Sequence, residues 1–122
     1  MAPVIATGAT GSVVLVGGSA GAGEIVDYVA QAVLELLANR PPAETLDEGH
    51  VSAARAAYPE TMGLVELELG RAVAQLAEPL ASLGHKVSIA PLQSGTAFIV
   101  RRNGHLEGAA DPRRDGTYAS SR

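Results

Sequence analysis

Cysteine and tryptophan are absent from the sequence, and phenylalanine occurs only once, with three tyrosines. Without cysteine there can be no disulfide, no thiolate metal site and no cysteine nucleophile. With aromatics at 3%, the core must be built from Val, Leu, Ile and Ala, and there is no stacking platform for single-stranded nucleic acid. Positive charge is also scarce. Residues 1 to 100 carry four Lys or Arg against ten Asp or Glu, and the last 22 carry five Arg against three acids. A net charge of −4 argues against polyanion binding, and the basic end reads first as a solvated tail. Long apolar runs are missing too. The longest early run, Val13 to Val16, is cut by glycine, and no Lys or Arg precedes Arg40. A signal peptide or membrane span is therefore not expected within the chain, which as it stands reads as cytoplasmic.

What is present is aliphatic and rich in glycine. At 122 residues the chain fits one domain or part of one, able to bury roughly 65% of its unfolded surface. Its centre is VVLVGGSAGAGEIVDYVAQAVLELL, residues 13 to 37. Val13 to Val16 predict a buried strand, Gly17 to Gly23 a turn nearly free of side chains, and the remainder a helix. A strand, a bare turn and a helix start together aim backbone N–H groups at an anion, because the first helical turn leaves donors unpaired and carries partial positive charge. The functional surface expected here is backbone. Along the helix, Asp27, Gln31 and Glu35 form one narrow polar stripe, and the rest is apolar. Such a helix is expected to be buried on most sides, by more polypeptide than this chain supplies.

Elsewhere, Ala2 to Thr7 predicts a strand joined through the Gly8-Ala9-Thr10-Gly11 turn to the strand at Val13. Asn39-Arg40-Pro41-Pro42 stops the helix, and Pro42 to Glu48 predicts a further helical turn. The segment around His50, Arg55, Tyr58 and Pro59 has no period. Leu64 to Leu69 alternates as a half-buried strand. Val73, Leu76, Ala77, Leu80 and Leu83 keep helical spacing, interrupted by Pro79 and ended by Gly84. His85 to Ala90 predicts a strand with Val87 and Ile89 inward. Asn103-Gly104 predicts a tight hairpin between Thr96 to Arg102 and His105 to Ala109, with Arg101 and Arg102 on opposite faces.

Several motifs have a sharper and a blander reading. Gly17-Gly18-Ser19-Ala20-Gly21 fits GxSxG between strand and helix, the context of a serine nucleophile. Asp47 with His85 or His105 gives the right triad order, but the chain is short for such a hydrolase, and Ser19 reads better as a turn serine bonding its own backbone. The glycines fail as nucleotide motifs: Glu24 stands where a P-loop needs Lys, and Val26 where a dinucleotide fingerprint needs its third glycine. His50, His85 and His105 are too scattered for a metal site, so neither metal nor cofactor is expected. Arg113 and Arg114 could grip a carboxylate, or pair locally with Asp111 or Asp115.

Four blocks together carry a resemblance: Met1-Ala2-Pro3, VLVGGSAGAGEIVDYVAQAV, Leu83-Gly84-His85-Lys86-Val87, and NGHLEGAADPRRDG from Asn103 to Gly116. In order and spacing the chain resembles the C-terminal part of the small subunit of γ-glutamyltransferases, the glutathione hydrolase family. The resemblance implies an α+β fold, part of the αββα sandwich of N-terminal-nucleophile hydrolases, over residues 1 to 116 with a loose tail at 117 to 122. It implies a threonine nucleophile acting on γ-glutamyl compounds. It also implies that the backbone N–H groups of Gly21 and Ala22 form the oxyanion hole, a donor of that kind being worth ~3–4 kcal/mol of barrier.

On that resemblance the threonine, the large subunit and the paired serines that contact the substrate carboxylate lie upstream of Met1. The chain alone is then expected to be inactive, needing an upstream partner chain or assembling with itself, with no nucleic acid or membrane partner. Ala20 replaces a usual proline and Ala22 a usual glycine. A methyl at position 22 costs about 1 kcal/mol or more if the site requires positive φ.

Overall fold

The computed structural model describes residues 2–53 and 58–118. Four strands make an antiparallel sheet in the order β1 (Ala2–Thr7), β2 (Val13–Ser19), β6 (Ala97–Arg102), β7 (His105–Ala110). Between β2 and β6 the chain forms helix α1 (Ile25–Leu37), helix α2 (Pro42–Asp47) and a second sheet of β3 (Val51–Ser52), β4 (Leu64–Glu68) and β5 (Lys86–Ala90), with the short helix α3 (Ala77–Ser82) linking β4 to β5. β4 and β5 run parallel, the other pairs antiparallel. The expected α+β class is what is observed.

Both hairpins of the large sheet follow from their turns. Gly11 takes φ 78°, closing β1 onto β2, and Asn103 and Gly104 take φ 50° and 81°, the paired positive values that match strand twist. Strand β2 runs three residues further than its aliphatic run. Gly17 and Gly18 belong to the strand, not to the turn. A Cβ on Gly17 would stand 2.2 Å from Cδ1 of Phe98, and one on Gly18 would stand 2.7 Å from the Ala2 carbonyl oxygen. These glycines are present because neighbouring strands and the Phe98 ring come too close for a side chain.

One face of the large sheet holds the core. Leu15, Phe98, Val100 and Ala109 meet Ala32 and Leu36 of α1 and Leu46 of α2. The other face is bare among the described residues. Ile5, Val16 and Ile99, opposite one another in register, are 65%, 42% and 52% exposed. Helix α1 is likewise covered on one side only. Val26, Leu34 and Leu37 face outward, so this chain by itself does not bury the helix on most sides. Its polar stripe points inward: Asp27 accepts from the Ser52 hydroxyl at 2.7 Å and the Ala53 N–H at 2.9 Å, and Gln31 accepts from the Val51 N–H at 3.4 Å. Asp27 and Gln31 tether a neighbouring strand, Ala32 and Leu36 enter the core, and Val26, Leu34 and Leu37 look outward.

Smaller departures have similar causes. Leu64 to Leu69 is not half-buried: Glu66, Leu67 and Glu68 are all buried, because β4 lies between two strands and beneath a cationic side chain. Ile89 points outward at 47% exposure, since β5 is an edge strand of the small sheet. The Val73 to Leu83 pattern splits into a 3-10 turn (Ala72–Leu76) and α3, with Pro79 in the first turn of α3 where its missing N–H costs nothing. Arg55 lies outside the described residues, as do residues 119–122 of the expected tail.

Candidate active site

The turn from Ala20 to Glu24 leaves β2 and enters α1. Gly21 has φ +141°, a conformation reserved for glycine, and a Cβ there would press at 3.3 Å on both Ile25 and Tyr28. Ala22 is not among the positive-φ residues, so its methyl carries no backbone penalty. Among the described residues the N–H groups of Gly21 and Ala22 meet no acceptor, whereas the Ala20 N–H reaches the Gly95 carbonyl at 3.4 Å. Both residues line an open cavity of about 420 Å³, together with Glu24, Tyr28, Glu66, Gln93 and Arg114. Two unpaired backbone donors at the mouth of a helix can hold an anionic oxygen.

The floor of the turn is polar and buried. The segment Pro91 to Thr96 passes beneath it, held at Ser94, Gly95 and Thr96. His50 Nε2 and Ser94 Oγ lie 2.6 Å apart, the Ser94 hydroxyl donates to Asp111, and the His50 ring stacks on Tyr28 with centroids 4.4 Å apart. The Arg114 Nε donates to the Ser94 carbonyl at 2.8 Å. Arg113 closes the assembly from below. It makes a two-pronged pair with Glu68 at 2.7 and 2.8 Å, reaches Asp111 at 3.1 Å, and donates to the Leu46 and Glu48 carbonyls.

These contacts set the charge states. Burial alone would raise the Asp111 and Glu68 carboxyls, but it is outweighed. Asp111 is held far below its ordinary value by His50, by Ser94 and by the Arg113 N–H and guanidinium. Glu68 is lowered by Arg113 and by the His50 N–H. Tyr28 is pushed up to about 12, by burial first and then by Glu24, Glu68, Glu66 and Asp27. The tyrosine stays neutral, and the arginine clamp stays charged.

The structure sorts the sequence candidates. Gly21 and Ala22 stand together on the cavity. Ser19 is 1% exposed, and its hydroxyl contacts Ala20, Gly95 and Thr96 and no histidine, so it lacks the surroundings of a nucleophile. Asp47 instead pairs with Arg71 at 2.8 Å, and His85 and His105 are exposed. The one histidine, serine and aspartate that do meet are His50, Ser94 and Asp111, with serine in the middle, an order that cannot relay a proton from serine through imidazole. His50 is a buried strand-end residue, not a surface one. Arg113 chooses the local pair with Asp111 and adds Glu68. No group of three metal-ligating side chains occurs among the described residues. His50, Ser94 and Glu68 escape a sequence reading because their partners are far along the chain.

Comparison with known proteins bears on the family and the fold. The family model for gamma-glutamyltranspeptidase matches residues 1–121, although no curated protein matches the sequence significantly. The gamma-glutamyltranspeptidase from Pseudomonas nitroreducens, solved with L-DON, superposes with a TM-score of 0.80 at 20% identity over 100% of this chain. A variant of the Helicobacter pylori gamma-glutamyltranspeptidase gives 0.74 at 21% over 93%, and the Bacillus anthracis transpeptidase enzyme CapD gives 0.73 at 18% over 99%. The chain spans 62%, 61% and 70% of those three chains respectively. At such identities the likeness is one of fold, and it joins the mixed helix and antiparallel-sheet architecture to that of N-terminal-nucleophile hydrolases. Since the family match runs over nearly every residue, the chain belongs to the gamma-glutamyltranspeptidase family.

Proposed function

We propose that this chain is the C-terminal part of a γ-glutamyltransferase small subunit, and that its Gly21 and Ala22 N–H groups form the oxyanion hole for transfer or hydrolysis of γ-glutamyl compounds. The single observation that carries the reading is the pair of unpaired backbone donors on an open cavity between β2 and α1. As negative charge develops on the γ-carbonyl oxygen, two fixed dipoles stabilise it without reorganising. The nucleophile is a threonine on polypeptide other than these 122 residues, and without it the chain is inactive.

The bare apolar faces favour the partner in this reading. Ile5, Val16 and Ile99, with a cavity of about 600 Å³ beside them between Val16, Phe98, Leu106 and Tyr118, form a surface suited to a second sheet layer. A non-catalytic subunit that assembles with its own copies would use the same surface, and the test separates the two. A chromogenic γ-glutamyl anilide is offered to the 122-residue chain alone and with a complementing upstream polypeptide that carries the threonine. Turnover only on complementation is the expected result. Steady turnover by the chain alone overturns the division of labour, and silence in both arms from folded material favours the non-catalytic subunit.

A further inference from the structure

The hydroxyl of Ser19, buried at the end of β2, has a task that a packing role does not explain. It donates to the carbonyl of Ala20 at 2.7 Å, and it accepts from the Thr96 hydroxyl at 3.1 Å and from the Gly95 N–H at 3.4 Å. The Ala20 carbonyl and the Gly21 N–H belong to one peptide unit. That unit is planar and trans, with no cis bond among the described residues, so carbonyl and N–H point in opposite directions. Whatever grips the Ala20 oxygen therefore fixes where the Gly21 N–H points. The grip matters most at this place, because Gly21 lacks a Cβ and sits at φ +141°, where its backbone has wide freedom.

We propose that Ser19 is the positioning residue of the glycine turn: by holding the Ala20 carbonyl against the buried side, it turns the Gly21 N–H outward to the cavity. Thr96 and Gly95 hold the hydroxyl from behind, so that its own proton has one acceptor, Ala20. In turn, Gly95 is packed close to Ala20, where a Cβ would stand 3.1 Å from the Ala20 methyl. The catalytic consequence rests on the oxyanion reading given above, but the geometry does not.

The test uses the 122-residue chain with Ser19→Ala, Thr96→Val and the double variant, and reads the residual dipolar coupling of the Gly21 N–H in an aligned sample, with denaturant stability alongside. Ser19→Ala strands the Thr96 hydroxyl and is expected to lose both stability and the coupling. Removing both hydroxyls should recover part of the stability, since the Thr96 hydroxyl is no longer stranded, while the Gly95 N–H and the Ala20 carbonyl still lack the Ser19 partner. The coupling should stay collapsed in the double variant and stay intact in Thr96→Val, which keeps the Ser19 to Ala20 bond. An unchanged coupling in Ser19→Ala, or one that returns with stability in the double variant, overturns the proposal.

In the complemented enzyme the double variant should lower kcat by at least about tenfold with KM held, as for a weakened oxyanion donor. A collapsed coupling with unchanged kcat would uphold the positioning role and overturn the oxyanion reading instead.

Discussion

The two faces of the four-stranded sheet are made of the same kinds of residue and have opposite fates. Leu15, Phe98 and Val100 on the inner face are at most 5% exposed, whereas Ile5, Val16 and Ile99 on the outer face are all above 40%. Alternation of polar and apolar residues usually tells a sheet's two sides apart, but β6 reads Ala-Phe-Ile-Val with no alternation. Such a strand is written to be buried twice. The inner face is closed by this chain's own helices, and the outer face is left exposed by the described residues. Apolar content alone does not tell the covered face from the open one.

Substitutions can break that comparison, beginning with the greatest effect. Phe98→Ala should cost about 3–5 kcal/mol in denaturant unfolding, because the ring fills the space over Gly17 and beneath α1. Arg113→Leu should cost a similar ~3–5 kcal/mol by the same measurement, leaving Asp111 buried without its arginine and Glu68 with only the longer 3.7 Å pair to Arg71. Acid should do the same more gently. Both carboxyls sit below their ordinary values in the fold, so their stabilisation is complete above the unfolded range of roughly pH 4 and is lost as pH falls below it. A pH titration of stability should therefore fall on the acid side in the parent, and more shallowly in Arg113→Leu.

Gly17→Ala should cost about 1–3 kcal/mol or prevent β2 from pairing with β6, given a methyl 2.2 Å from the Phe98 ring. At the small end, Ile99→Ser on the outer face should change the isolated chain's stability by no more than about 0.5 kcal/mol while weakening association with a complementing polypeptide. If Ile99→Ser instead costs as much as Phe98→Ala, the outer face is already covered in solution, for example by a second copy, and the contrast between the faces disappears.

Much of the fold was legible. Asn103-Gly104 announced the last hairpin, Gly11 the first, and Pro41-Pro42 the end of α1, because each acts through local backbone geometry. The positive φ of Gly21 was legible as turn geometry for the same reason. The limits of β2 were not. Glycines at 17 and 18 read as a turn until Phe98, from a strand far downstream, is seen to need the empty space at Gly17, and the β1 backbone at Ala2 that at Gly18. The buried floor was also invisible: Glu68 meets Arg113 45 residues away, and His50 meets Ser94 at 44. Side-chain spacing along one element carries no record of such partners. Ile89 was misjudged for a different reason. Apolar pattern predicts that a surface will be buried, without saying which chain buries it.

The large sheet is stitched from two local hairpins by one distant seam, in which Leu15 pairs with Val100 and Gly18 with Ala97. Each hairpin can form within about 1–10 μs, but the seam must wait for α1, α2 and the small sheet to be threaded between them, and such non-local pairing is slow. Until it closes, β2 and β6 present open, aliphatic edges, the kind that pair with the wrong chain. The most hazardous moment for this protein is therefore an interval during its own folding.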